Sequence, residues 1–210
     1  MRKNKTITIL FCCFTALLLS ACAKTEVKNV GSKGKNIICF GDSLTFGYGA
    51  NLQEDFPSLL AKMTDRPVIN AGIDGDTTFT ALNRLQSDVL SKDPYLVILE
   101  FCGNDFIKKI SRDDTINNLR EMIRCIQRQG SMVALVDISA GFFLLEYRVL
   151  FRNLAREEGA IFVPEVLGGI LTNPSMKSDF LHPNASGYKV LAERIWRAIK
   201  PYLKDRGGNT

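Results

Sequence analysis

The chain has 210 residues, 46 % of them hydrophobic and 23 % charged, with 16 Gly and 7 Pro; this length and mix suit one hydrophobic core and exclude a multidomain machine, a fibrous repeat and a disordered polypeptide. The formal net charge is +5, but removing Arg2, Lys3 and Lys5 from the 27 basic residues leaves 24 against 22 acidic ones. A nearly neutral body argues against nucleic acid as a partner.

Met1 to Lys5 carries three positive charges, and Thr6 to Leu19 is a run of 14 mostly apolar residues. Crossing the hydrocarbon core takes about 20 apolar residues, so the run is short for a spanning helix and suits the apolar region of an export signal. It closes on Leu19-Ser20-Ala21-Cys22, which is similar to the lipobox of bacterial lipoproteins. That resemblance implies cleavage before Cys22, lipidation of the Cys22 thiol and anchoring to a membrane of the bacterial envelope, on its periplasmic or cell-surface face. Ala23 to Lys35 is polar, lacks apolar periodicity and reads as a tether with no core to join; its 13 residues reach at most about 40 Å. The expected division is therefore 1–21 signal, 22–35 lipidated Cys and tether, and 36–210 folded domain. Signal and lipid account for Cys12, Cys13 and Cys22, leaving Cys39, Cys102 and Cys125. An odd set of three reads as buried thiols rather than a disulfide scaffold, with a Cys39–Cys102 bridge as the alternative.

In the body, Asn36–Phe40, Pro67–Asn70, Tyr95–Leu99, Met132–Val136 and Ala160–Val163 are short apolar runs without alternation, the pattern of strands covered on both faces in a parallel sheet. Helical patterns fill the intervals at Asp55–Met63, Thr77–Leu90, Asp113–Gln129, Phe142–Glu158 and Asn184–Leu203. Thr77 and Asn184 read as N-caps, and Gly130 and Gly159 follow helices where a left-handed residue is wanted. Five strand–helix repeats with right-handed crossovers predict a three-layer α/β/α sandwich around a five-stranded parallel sheet, with function at the carboxyl ends of the strands.

Those ends carry Gly41-Asp42-Ser43-Leu44-Thr45, Asn70-Ala71-Gly72 and Gly103-Asn104-Asp105, and Asp179-Phe180-Leu181-His182-Pro183 precedes the last helix. The set resembles the SGNH, or GDSL-type, hydrolase family over about Asn36 to Leu203, and within it the bacterial arylesterase and thioesterase/lysophospholipase branch. The resemblance implies a flavodoxin-like fold and a serine esterase that needs no metal or other cofactor. Cys102 stands where relatives often have Gly.

The chemistry can be rebuilt from residue types. A Ser hydroxyl needs a base to become a nucleophile, and His, whose ordinary pKa is about 6.5, suits that work near neutrality. The chain has one His, His182, which also leaves a zinc site poorly supplied. Asp179, three residues earlier, can fold back to orient the imidazole. The backbone N–H groups of Ser43 and Gly72 and the side-chain amide of Asn104 are the expected oxyanion donors. Asp42 and Asp105 are read as structural, Asp42 by bonding neighbouring backbone, though Asp105 competes with Asp179 for the orienting role. Phe46, Tyr48, Phe79, Phe106, Ile107 and Phe142 to Leu145 follow these loops and are the candidate substrate surface, of which Phe46, Phe106, Ile107 and Phe142 are the principal expectation. An apolar surface points to acyl or aryl esters or thioesters, a small-molecule or lipid substrate; an O-acetylesterase of envelope polysaccharide and a catalytically silent envelope-binding lipoprotein are the alternatives. No phosphate loop or nucleotide fingerprint is present.

Overall fold

A computed structural model describes residues 26–140 and 144–204. The expected signal segment, Cys22 and Phe142 therefore lie outside the described residues. The five expected strands form one sheet: β1 (Asn36–Gly41), β2 (Val68–Gly72), β3 (Pro94–Glu100), β4 (Met132–Val136) and β5 (Ile161–Val163), all parallel in the order β2-β1-β3-β4-β5. Ile38, Val97, Ile98, Leu99, Val133, Ala134 and Leu135 have no exposed surface, as strands covered on both faces require.

The helices are α1 (Ser43–Phe46), α2 (Phe56–Ala61), α3 (Thr78–Asp88), α4 (Gly103–Ile107), α5 (Arg112–Arg128), α6 (Leu145–Glu158) and α7 (Ala185–Ile199). α2 packs with α7, and α5 packs against both α3 and α6. Thr77 caps α3 through the Thr80 N–H and Asn184 caps α7 through two N–H groups, while Gly159 closes α6 at φ +65°. Several boundaries differ from expectation by a residue or more, and three of the differences have a visible cause or consequence. β2 runs two residues further, so Gly72 ends a strand rather than sitting in a loop. α6 begins at Leu145, after Leu144 in the left-handed region at φ +57°. The last helix stops at Ile199 and tightens into a 3-10 turn over Lys200–Tyr202, because Pro201 has no N–H to continue the α ladder. No helix among the described residues is long and apolar enough to cross a membrane.

Residues 26–35 do not behave as a free tether. Val27 packs against the core, the Lys28 N–H donates to Gly159 O at 2.9 Å, and the Asn29 amide donates to Gln127 O and Ser131 O at 2.9 and 3.0 Å. A Cβ on Gly34 would stand 2.1 Å from Pro94 O, so only glycine lets the chain lie this close. All these partners adjoin the amino ends of the strands. The polar composition of the segment hid this seating because its hydrogen bonds come from side-chain and backbone groups rather than from an apolar stripe.

Candidate active site

β1 lies between β2 and β3, and the chain leaves it in one direction to β2 and in the other to β3. This is the topological switch point, where the loops beyond neighbouring strands splay apart and leave a crevice. The residues following β1, β2 and β3 are thereby brought together around Ser43.

Ser43 opens α1 and is buried. Its Oγ stands 3.0 Å from His182 Nε2, while His182 Nδ1 lies 2.8 and 3.0 Å from the two oxygens of Asp179. An ionised carboxylate only accepts, so Nδ1 carries the ring hydrogen and Nε2 faces the Ser43 hydroxyl as an acceptor. Partial burial tends to raise the Asp179 pKa, but hydrogen bonds from His182 and from the Leu181 and His182 N–H groups hold it below the usual carboxylate range. Asp179 therefore shapes the loop and orients the imidazole at once. Below it, Ser178 N–H and Oγ both donate to His182 O, and Lys177 bridges to Pro183. The Tyr48 ring stands 4.5 Å from the imidazole between centroids, and the buried Tyr188 hydroxyl holds Tyr48 by donating to its carbonyl at 2.8 Å.

Asn104 lies in the first turn of α4, and its amide donates to Asp42 Oδ2 at 3.2 Å, leaving a second amide hydrogen for a ligand. Asp42 Oδ1 takes the Leu44 N–H at 3.1 Å, the local structural work expected of it. Asp105 is fully buried and accepts from Thr78 N–H at 3.0 Å, from the Thr78 hydroxyl and from Thr115 Oγ1 at 3.2 Å. It ties α4 to α3 and α5 and makes no contact with His182, so it does not compete with Asp179. Cys39 and Cys102 are separate buried thiols. Cys102 holds φ at +120°, a backbone conformation suited to glycine, so a glycine fits this position without strain and the cysteine does not.

Gly72 requires correction as an oxyanion donor. Its N–H is already given to Asn70 Oδ1 at 2.9 Å. A Cβ there would stand 2.2 Å from Phe46 N and 2.5 Å from Thr45 C, so the glycine is needed because α1 passes directly over the end of β2. Gly72→Ala is expected to cost about 3 kcal/mol or more, since backbone cannot yield as a side chain can, and to lower Tm by roughly 10 °C. A variant melting with the wild type would refute this close approach.

A cavity of about 120 Å³ adjoins Ser43, His182 and Asn104, walled by Leu44, Ile107, Ile138, Leu167, Leu171 and Leu181, with Asp74 at its edge. Of the expected apolar residues among those described, only Ile107 lines it. Phe106 instead lines a neighbouring cavity of about 790 Å³, with Ile110, Leu144 and Tyr147, on the other side of α4. The larger space is lined by none of Ser43, Asp179 and His182, whereas the smaller one is lined by Ser43 and His182. Phe46 is half exposed and borders neither cavity; its backbone, not its ring, matters, through the contact with Gly72.

Sequence reasoning missed Ile138, Leu167 and Leu171, which follow β4 and β5; their position past strand ends was the available signal. It also missed Arg84, whose guanidinium donates to Gly41 O, Ala71 O and Asp76 and lies 4.3 Å above the Phe40 ring. Arg84 pins the ends of β1 and β2 to α3, and nothing local marks it. No group of three or more His, Cys, Asp or Glu among the described residues could hold a metal ion.

Comparison with known proteins agrees with this arrangement. Residues 39–190 match the GDSL-like Lipase/Acylhydrolase family. The chain is 27 % identical over 201 residues to Esterase TesA of Pseudomonas aeruginosa, covering 90 % of this chain and 99 % of that protein. It is 25 % identical over 175 residues to Thioesterase 1/protease 1/lysophospholipase L1 of Escherichia coli (strain K12), covering 80 % and 84 % respectively. The crystal structure of TesA is similar at a TM-score of 0.75, with 27 % identity over 80 % of this chain and 99 % of that one. A two-domain esterase active on acetylated mannans shares the fold at a TM-score of 0.67 and 24 % identity, over 87 % of this chain and 53 % of that one. With the family match spanning most of the folded body and Ser43, Asn104 and His182 converging at the switch point, this chain belongs to the GDSL-like lipase/acylhydrolase family and is a serine ester hydrolase.

Proposed function

We propose that the protein hydrolyses apolar acyl or aryl esters or thioesters through a Ser43–His182–Asp179 triad and an acyl-enzyme. The observation that carries the reading is the unbroken hydrogen-bond line from Asp179 through the imidazole to Ser43 Oγ. Ser43 attacks the carbonyl carbon as His182 Nε2 takes its proton, and the imidazolium is stabilised by Asp179. The oxyanion is met by the Ser43 N–H and the free amide hydrogen of Asn104. The turn after β2 supplies the third position expected of Gly72: Asp74 lines the cavity, and Gly75 beside it holds φ at +77° with no atom within 4 Å of where a Cβ would stand. His182 then protonates the leaving group, and water attacking the acyl-enzyme by the same route releases the acid and restores Ser43.

The wall of Leu44, Ile107, Ile138, Leu167, Leu171 and Leu181 favours an apolar acyl or aryl group over a sugar. Each buried methylene contributes about 0.8 kcal/mol, or roughly fourfold in specificity constant. In a p-nitrophenyl ester series, kcat/KM should rise by about that factor per carbon until the pocket is full. Specificity constants on acetylated polysaccharide equal to or above the best of that series would assign an O-acetylesterase instead.

Lipid anchoring through Cys22 belongs to the same proposal, supported by the charged start, the apolar run and the lipobox. Cys22→Ala should leave uncleaved, unlipidated precursor, checked by mass spectrometry of the membrane extract; an acyl-free mature N-terminus in the wild type would refute it. The seating of residues 26–35 adds an orientation. From Cys22 to Glu26 there are four Cα steps, about 15 Å at full stretch, and they join the body at the amino ends of the strands. Ser43 follows the carboxyl end of β1, roughly 20 Å away along a six-residue strand. The catalytic mouth thus faces away from the membrane that carries the anchor, towards substrate in the aqueous space. A flexible insert of about 20 residues between Thr25 and Glu26 should then raise cleavage of ester lipids in the same vesicle membrane and leave hydrolysis of a water-soluble ester unchanged; equal rates on the resident lipid with and without the insert would overturn the orientation.

A further inference from the structure

Glu100 is the last residue of β3 and has no exposed surface. No described ion pair includes it, although it sits beside a second buried carboxyl, Asp42. Glu100 Oε2 accepts from Thr45 Oγ1 at 2.8 Å. Glu100 Oε1 is buried and no donor among the described residues reaches it. The close fit is built in: a Cβ on Gly41 would stand 2.7 Å from Glu100 Oε2 and 2.0 Å from Thr45 Oγ1. The side chains of Glu100 and Asp42 are hydrogen-bonded to each other.

Two carboxylates cannot share a hydrogen bond unless one of them carries a proton. The partners show which one does. Asp42 receives the Leu44 N–H and the Asn104 amide, two donors that favour its ionised form. Glu100 receives the Thr45 hydroxyl and the Asp42 N–H, but its Oε1 has no donor; an oxygen that lacks a donor is accounted for if it is itself an O–H, so the proton rests there. Burial pushes both groups up, Asp42 to about 6 and Glu100 well above the usual range, with the Asp42 charge raising Glu100 further.

We infer that Glu100 is a neutral positioning residue whose O–H, donated to Asp42, holds the Asp42 carboxylate against the Asn104 amide and so aims the remaining amide hydrogen at the oxyanion. This rests on Asn104 being an oxyanion donor. The line Glu100–Asp42–Asn104 stands beside the line Asp179–His182–Ser43 as a second chain of hydrogen bonds. One line orients the base and the other orients the amide.

The test is a double-mutant cycle in the full-length protein, with Glu100→Gln and Glu100→Ala each made alone and in an Asn104→Ala background, and kcat and KM measured separately. Asn104→Ala should lower kcat about 10²- to 10³-fold. Glu100→Gln keeps an acceptor for Thr45 and an N–H for Asp42, and should stay within about twofold of the wild-type kcat. Glu100→Ala should lower kcat about tenfold or more with little change in KM, and have no further effect once Asn104 is alanine, because a residue acting through the amide has nothing left to aim. A Glu100→Gln loss of tenfold or more would show that an anion is needed and overturn the inference, even if Glu100→Ala fails to fold. Full additivity of Glu100→Ala with Asn104→Ala would also overturn it, while leaving Asn104 as a donor. An unchanged kcat in Asn104→Ala would instead remove the oxyanion reading, and the inference with it.

Discussion

Ser43→Ala should abolish both ester hydrolysis and covalent labelling by a fluorophosphonate, with the loss in kcat on the order of 10⁴-fold or more. Triad members act as a unit, so removing the nucleophile removes nearly all that the triad provides and leaves only the oxyanion donors and binding. The hydroxyl makes one side-chain contact, with His182 Nε2, and α1 is held by Asp42 and by the Thr45–Glu100 hydrogen bond rather than by Ser43 Oγ. The variant should therefore melt close to the wild type. A folded Ser43→Ala protein that still turns over an activated ester at a tenth of the wild-type rate would refute the mechanism.

His182→Ala should be nearly as severe, because the imidazole alone bridges Ser43 and Asp179. Only the neutral ring can take the Ser43 proton, so a variant without it keeps only what the oxyanion donors and binding provide. Hydrogen bonds to Asp179 hold its pKa below the usual carboxylate range, so it stays ionised beside the imidazole. Its two backbone bonds, to Leu181 N–H at 2.7 Å and His182 N–H at 2.9 Å, also mean that Asp179→Ala loosens the loop as well as the base. A folded His182→Ala enzyme that keeps a tenth of the wild-type kcat would place the base elsewhere.

The parts of this site that could be read in the sequence share a property. Ser43 and Asn104 each lie in a short motif next to an apolar run that declares a strand end, and the Asp179–His182 pair lies just before a helical pattern; in each case the motif declares the chemistry. The parallel sheet was legible for the same reason, since consecutive apolar residues record burial on both faces. α1 and α4 escaped because each is about one turn long and has no period to display.

Gly72 shows where local reading fails. The motif Asn70-Ala71-Gly72 marks a glycine that matters but cannot say whether its N–H or its missing Cβ is what matters. Asn70 Oδ1 takes the N–H, and Phe46, 26 residues earlier in the chain, takes the space. The substrate wall is similar: Ile138, Leu167 and Leu171 come from beyond β4 and β5, and Ile107 meets them only because the sheet aligns those strand ends beside β3.

By itself the sequence determined the strand and helix alternation, the order of the four motifs and Ser43, His182 and Asn104 as the candidate residues, because these depend on periodicity and residue type within a few positions. The tertiary structure alone decided which donors are free, which residues wall the pocket, that Glu100 lies under Asp42, and that residues 26–35 are seated at the end of the sheet opposite Ser43. Those outcomes depend on distances between segments tens of residues apart, set by the packing of the whole core.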